Sequence, residues 1–599
     1  MSDKNKSLFP EFPSVSTEQW MERVTADLKG ADFDRKLVWK NLSGIKIQPC
    51  YNSENTIKQL ENTGENSQSL VNYRNIAVCS AESGNDLAKK AVEEGMNGII
   101  FKLDGNIAVA ELLNGINLNE ITISFDIASQ AVEFTSELVA YAKGKGLKGY
   151  INTGIISNYL TTGSFDENQV NIGAELIKLT ADYPDFKAIT ISGTEYLDSG
   201  ANQVQEIAYT LNSLVFLTEK LMGKDIEVQA VFDNLNFKLA IGLEYFVEIG
   251  KFRAFNNLLA EVAAKYGLTE FSNTITAKTS IWSKSVTDAE TNLLRCTTEA
   301  MAAILGNVDG VLIDAYDKEF KDSSEFSSRI AGNITTILRE ESYFGKVANP
   351  VDGSYYIEEV SSKIAQKALE LFQSIQACCG FYKAFENETI QGQIAEIRLQ
   401  KLKLISQRRT PMVGINKYPN LMENIAADLL SEAAAENSKV LTPRRASLEI
   451  EALRRKTEEL VADTAIRPIV QLASFGNLNM RKARAAFAYD FIGVSGFDVH
   501  QEESFESAET AATESANADS HVVVICSSDQ DYDEKAVDFI NTFRAINTDK
   551  VLLLAGAPNN MDELTEAGLD GVVNMRSDVL KTLSAIQEKV QKTLKSSEV

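Results

Sequence analysis

From Asn75 onward, short runs of β-branched and aromatic residues alternate with longer stretches whose apolar positions recur every three to four residues. Eight such runs follow one another: Asn75 to Cys79, Gly98 to Leu103, Ile121 to Asp126, Gly149 to Thr153, Lys187 to Ser192, Glu227 to Phe232, Thr274 to Lys278 and Gly310 to Asp314. A helix-period segment follows each, as in Glu290 to Leu305 and Glu325 to Glu341. Eight consecutive strand–helix units predict an α/β fold with a (β/α)8 TIM barrel over residues 71–383.

Residues 384–466 break the cadence. They are helical and charged, strand-like only at Met412 to Ile415, with basic clusters at Arg408-Arg409, Arg444-Arg445 and Arg454 to Lys456. Such clusters are expected to be solvated faces of a helical connector. Residues 467–599 return to alternation with five runs, Pro468 to Ala473, Phe497 to Gln501, Val522 to Cys526, Val551 to Ala555 and Gly571 to Asn574, the last followed by a helix from Asp578 to Leu594. Five such units predict a flavodoxin-like open sheet, whose ligand crevice would lie beside the loop Ser474 to Asn479. Ahead of the barrel, residues 1–70 open with a capping box, Ser16 to Gln19, and a short helix through Leu28, with Trp20, Phe33 and Trp39 among charged residues. Aromatics on an arm of this kind pack on a partner subunit or fold back on their own chain.

Composition narrows the function classes. A formal charge of −25 makes the electrostatic term toward nucleic acid or an anionic membrane repulsive. The six cysteines include one adjacent pair, Cys378-Cys379, and match neither a disulfide framework nor a zinc spacing. The first residues, MSDKNKSLFPEFPSVST, have no apolar core and no arginine enrichment, and no apolar run approaches the roughly 18 residues that span a bilayer. A cytoplasmic, soluble protein is the expectation.

Several strings then carry a resemblance. Asp27-Leu28-Lys29-Gly30 and Leu37-Val38-Trp39-Lys40 in the arm, Arg295 to Ala303 (RCTTEAMAA) in the barrel, Asn349 to Glu358 (NPVDGSYYIE) and Gly414 to Tyr418 (GINKY) resemble the adenosylcobalamin-dependent acyl-CoA mutases, in order along nearly the whole chain. That resemblance implies the predicted layout, with the last domain corresponding to a cobalamin-binding domain. In that family a D-x-H-x-x-G motif after the first strand of this domain supplies the histidine that ligates cobalt. Aligned on Ala486-Phe487-Ala488, its Asp, His and Gly fall here on Ser474, Gly476 and Asn479. The S-x-L and Gly-Gly elements become Ser527-Ser528-Asp529 and Gly556-Ala557. His500, inside Asp498-Val499-His500, and His521 are the only histidines, and neither fits the motif. In the barrel, a string similar to SGYHMxExGA reads Ser192 to Ala201 with Glu195 at the histidine position, and the aromatic, arginine-rich clamp for acyl-CoA is replaced by the polar run Asn52 to Gln68.

The resemblance with these losses implies a small, non-catalytic subunit of methylmalonyl-CoA mutase, with no catalytic, cofactor-binding or metal residues expected on this chain. Adenosylcobalamin would then sit on a large catalytic subunit, the partner in a heterodimer. Two alternatives compete with this reading: an active mutase with an atypical site, and a transient, chaperone-like partner of a cobalamin enzyme. Interface size separates the last from the first, because obligate interfaces are extensive and apolar.

Overall fold

The computed structural model describes residues 15–55, 59–61, 70–430 and 438–596. The first 14 residues and part of the polar run Asn52 to Gln68 lie outside the described residues.

The barrel strands are Val71–Val78, Gly98–Leu103, Thr122–Ile127, Gly149–Asn152, a fifth strand in two pieces, Phe186–Lys187 and Ile189–Ser192, then Leu235–Ile241, Thr274–Thr279 and Gly310–Leu312. All pair in parallel with their sequence neighbours, and the last pairs with the first. The ring closes at the fifth strand, whose first piece pairs with the fourth strand and whose second pairs with the sixth. The TIM barrel is therefore present.

One predicted strand is corrected. Residues Val228–Asp233 form a helix, and the sixth strand is Leu235–Ile241. Val231 and Phe232 of that helix are buried, with Phe232 against the rings of Tyr266 and Phe271. The true strand places Leu235, Phe237, Leu239 and Ile241 in the core between strands and helices, while alternation turns Asn236 and Lys238 into the barrel. Those polar inward residues hide it from a search for apolar runs.

The barrel axis is filled. Tyr73, Ile100, Tyr150 and Leu312 pack as a cluster separate from the outer core, with the two tyrosine rings 5.8 Å apart. Beside them Asn236 bonds the hydroxyls of Thr190, Thr274 and Thr276.

Beyond the barrel, helices Gly380–Glu386, Thr389–Ser406 and Leu448–Thr464 lead to a sheet of Ile469–Ser474, Asp498–Val499, Val522–Cys526, Val551–Ala555 and Gly571–Val573. Its strand order, 2-1-3-4-5, is the flavodoxin-like one. A further short piece, Glu503–Ser504, continues the second strand along the first.

The expectation of solvated basic clusters fails for most of their members. Arg409 and Lys456 are exposed, but Arg444, Arg445 and Arg454 are buried. Arg445 reaches Glu451 at 2.7 Å and Glu319 of the barrel at 3.3 Å, and Arg408 pairs with Asp490 of the open-sheet unit. These side chains join three parts of the chain, so their charges are spent on internal carboxylates. The apolar core of the open sheet continues through Met412, Ile415 and Ile450 of the connector and takes in Trp282 from the barrel.

The arm has two characters. Residues 38–52 fold back: Lys363 donates to the carbonyl of Lys46, Tyr51 packs edge-on to Tyr356, and Ile45 and Ile47 are buried. The helix Thr17–Asp27 forms with its capping box, yet none of its residues is buried. Trp20 meets Phe33 at 6.3 Å and Trp39 is 43% exposed.

Candidate functional site

Active sites of TIM barrels lie at the carboxyl ends of the strands. There the inward positions include Ala77, Lys102, Asp126, Asn152, Ser192, Lys238, Lys278 and, just past the eighth strand, Asp314. Several are paired with neighbouring side chains, whereas Lys102 is exposed and, with Asn75, Ala77, Asp314 and Lys318, lines an open cavity of about 250 Å³. Lys238 lies 3.5 Å from Asp126, which also accepts a hydrogen bond from Asn152 at 2.9 Å. Asp314 lies 3.6 Å from Lys278 and 2.6 Å from Lys318. Burial pushes the Asp314 carboxyl up, but the two ammonium groups more than offset this and hold it at about 2. Lys278 is raised by Asp314 above all, and by Asp198 and Glu195.

Glu195 sits in the short helix Thr194–Asp198 that begins directly after the fifth strand. Gly193 permits this sharp entry, because a Cβ there would lie 2.3 Å from the Thr210 hydroxyl. One Glu195 carboxylate oxygen is buried without a hydrogen-bond partner. Next to it Asp198 is fully enclosed, and burial pushes its carboxyl up to about 6 against the pull of Lys278 and a hydrogen bond from Ser280. A glutamate side chain has no ring N–H to offer a carbonyl as a neutral imidazole does. The mouth thus combines the ion pairs around Asp126 and Asp314, Glu195 at the end of the fifth strand, and the exposed Lys102.

The second site is the crevice at the carboxyl ends of the open sheet. Ser474 is buried at the end of its strand, Gly476 has φ of 74°, and Asn477 caps the next helix through the Met480 amide. Asn479 is exposed on that helix. The loop is held by Asp531, which accepts from the hydroxyls of Ser527 (2.9 Å) and Ser528 (2.6 Å), from Lys535 (3.0 Å) and from the Asn477 amide (3.3 Å). Burial alone would raise Asp531, but these donors drive it far below the usual carboxylate range. A Cβ built at Gly476 would lie 2.3 Å from an Asp531 oxygen. Phe475 packs inward on Phe539, and Tyr532 spans the crevice floor, accepting from the Ser527 amide and donating to the Ala555 carbonyl.

These residues do not fit adenosylcobalamin held through an axial histidine: the ligand position has no side chain, and the space a side chain would need belongs to Asp531. His500 is 55% exposed with Asp498 3.4 Å away. His521, at the amino end of its strand, accepts from the Ile469 amide, and burial lowers its pKa. Asp531 and Tyr532 had escaped the sequence reading. A legible signal existed, because Ser528-x-x-Asp531 is a capping pattern at a helix start.

The family-like strings play structural parts. Glu358 of NPVDGSYYIE takes the fully buried Arg253 guanidinium at 2.6 Å, and Asn349 of the same string accepts from it at 3.0 Å. In RCTTEAMAA, Arg295 reaches across to the Val413 carbonyl beside GINKY, and Glu299 holds Lys284 at 2.6 Å.

Fold and site together define a protein in which a TIM barrel is followed by a flavodoxin-like open sheet. The model of the family described as methylmalonyl-CoA mutase matches residues 55–490, and the chain belongs to that family. It is 31% identical to the methylmalonyl-CoA mutase small subunit of Porphyromonas gingivalis, over 98% of this chain and 99% of that one. It is 27% identical to the small subunit of Streptomyces virginiae, over 96% and 98% of the two chains. Identity to a methylmalonyl-CoA mutase of Cereibacter sphaeroides is 24%, over 95% and 99%.

Proposed function

We propose that this chain is the small, non-catalytic subunit of a cytoplasmic methylmalonyl-CoA mutase heterodimer. Its larger partner binds adenosylcobalamin and interconverts succinyl-CoA and methylmalonyl-CoA by a radical rearrangement of the carbon skeleton. The observation that carries this reading is the tie between Asp531 and the loop at Gly476, which takes the place of a cobalt ligand. The ion-paired barrel mouth around Glu195 and the filled barrel axis support it, as do the names of the relatives. Among the described residues no helix is long and apolar enough to cross a membrane.

The helix Thr17–Asp27, none of whose residues is fully buried, supplies a surface for the partner, with Trp20, Met21 and Val24 half-buried. The deciding experiment is a visible-absorbance titration of the purified chain with adenosylcobalamin, alone and after co-expression with a larger chain of the same family. The expected result is no spectral change alone, and full binding with activity in a stable 1:1 complex. Tight binding by this chain alone, with displacement of the lower base, would overturn the reading.

A further inference from the structure

Two thiols stand side by side where helix Tyr355–Cys378 gives way to helix Gly380–Glu386. Cys379 interrupts the helical run with φ −169° and ψ 0°, and Gly380 at φ 73° starts the next helix. This break brings the two sulfurs to 3.2 Å. Cys378 is exposed and Cys379 half-buried. The other cysteines differ: Cys50 and Cys79 are exposed singly, while Cys296 and Cys526 are buried. Nothing in the proposed subunit role uses the pair.

We propose that Cys378 and Cys379 form a bidentate site for a soft trivalent metalloid, arsenic(III). Adjacent Cα atoms are about 3.8 Å apart, closer than the roughly 4.4 Å lower limit of ordinary disulfides. Closing a sulfur–sulfur bond would therefore distort the peptide between them. A bidentate centre avoids this, because both sulfurs bond to a third atom. With bonds to sulfur of about 2.3 Å, a span like the observed one subtends roughly 90° at the bound atom, whereas a tetrahedral zinc would spread the sulfurs to about 3.8 Å. The narrow angle suits a pyramidal trivalent centre. Zinc also needs further ligands, and among the described residues no group of three or more His, Cys, Asp or Glu side chains could hold a metal.

The chemistry balances without an oxidant. With phenylarsine oxide as probe, two arsenic–sulfur bonds form, the arsenic–oxygen bond breaks, and both thiol protons leave with the oxygen as water. Arsenic stays trivalent. Because the second bond forms within the molecule, its high effective concentration lets the pair outcompete single thiols.

The test is titration of the reduced full-length chain with phenylarsine oxide, read by intact mass and by counting free thiols. One phenylarsenic group per chain and the loss of two thiols are expected, stable to excess monothiol and reversed by a dithiol. Cys378→Ser and Cys379→Ser should each weaken binding at least tenfold, while Cys50→Ser and Cys79→Ser leave it unchanged. Failure of the folded wild-type chain to take up the probe, or an equally tight adduct in either pair variant, would overturn the proposal. Neither outcome bears on the subunit role.

Discussion

Gly476 and Asp531 lock the loop after the first strand of the open sheet. The glycine adopts a φ of 74°, where a residue with a Cβ costs about 1–2 kcal/mol, and Asp531 occupies the space beside it. Restoring the family's imidazole with Gly476→His should therefore lower stability by about 1–3 kcal/mol by denaturant unfolding, since it also disturbs the charge-assisted bonds to Asp531. Adenosylcobalamin should still leave the spectrum of that variant unchanged; a shift to the base-displaced form would show that the pocket is open. Asp531 sets a pH limit as well. Its pKa is depressed on folding, so its contribution is present above the unfolded value near 4 and is lost as pH falls below it. Asp531→Asn should flatten that acid-side loss while lowering stability at pH 7.

A second residue-scale prediction concerns Lys251, enclosed between Glu206 (2.9 Å) and Glu248 (2.5 Å) with none of the three exposed. Burial, only partly offset by Lys251, pushes the Glu206 carboxyl up to about 7. A raised carboxyl pKa means that the folded state holds the proton more tightly than the unfolded chain. Stability from this group is therefore full below about pH 4 and declines as pH rises through about 7. In Glu206→Gln the fall in stability between pH 5 and pH 8 should shrink, as followed by urea unfolding at both pH values. Lys251→Met, which strands two buried carboxylates, should cost about 3–5 kcal/mol.

Among the elements, the helix Thr17–Asp27 lets the proposed role in assembly be tested apart from a role in folding. With no buried residue, it contributes little to the monomer, so Trp20→Ala should move the melting temperature of the isolated chain by no more than about 1 °C. The same change should weaken the complex with the larger subunit at least tenfold by calorimetry, because aromatic anchors dominate interface energy. Unchanged affinity would remove the arm from the interface. The capping box of this helix was readable directly, since Ser16 and Gln19 bond each other's backbone with no help from the rest of the molecule. The sixth barrel strand was not readable in the same way. Its apolar residues face the helices and its polar ones, Asn236 and Lys238, the barrel, so they interrupt the run, whereas the short helix before it carries the unbroken Ala230-Val231-Phe232. The basic clusters were misjudged for a related reason. Arg445 meets Glu319 across 126 positions, and no local pattern announces a carboxylate so far away. The reading of Ser474, Gly476 and Asn479 as degenerate positions rests on comparison with the family pattern, whereas Asp531, 55 residues beyond Gly476, became visible beside that loop only in the fold.

At the scale of the whole molecule, the barrel, connector and open sheet are joined by charge as much as by apolar packing. Glu451 is fully buried and accepts from Arg445, Ser447, Ser285 and the Val286 amide, so one carboxylate ties the connector helix to the loop after the seventh barrel strand. Arg454 donates to the Glu423 carbonyl, while Glu423 accepts from the Asp288 amide of the barrel at 2.9 Å. The proposed subunit role depends on such a seam, because the face offered to a partner depends on how its parts are held. Arg445→Ala should cost about 3–5 kcal/mol by leaving Glu451 without its strongest partner. Calorimetry should then resolve two transitions, barrel and open sheet, where the wild type shows one. Arg445→Met combined with Glu451→Leu removes both charges and should recover much of that loss, since no ion stays stranded. If the double variant is as unstable as the single one, the seam depends on the hydroxyl and amide bonds to Glu451 and not on its charge pairing.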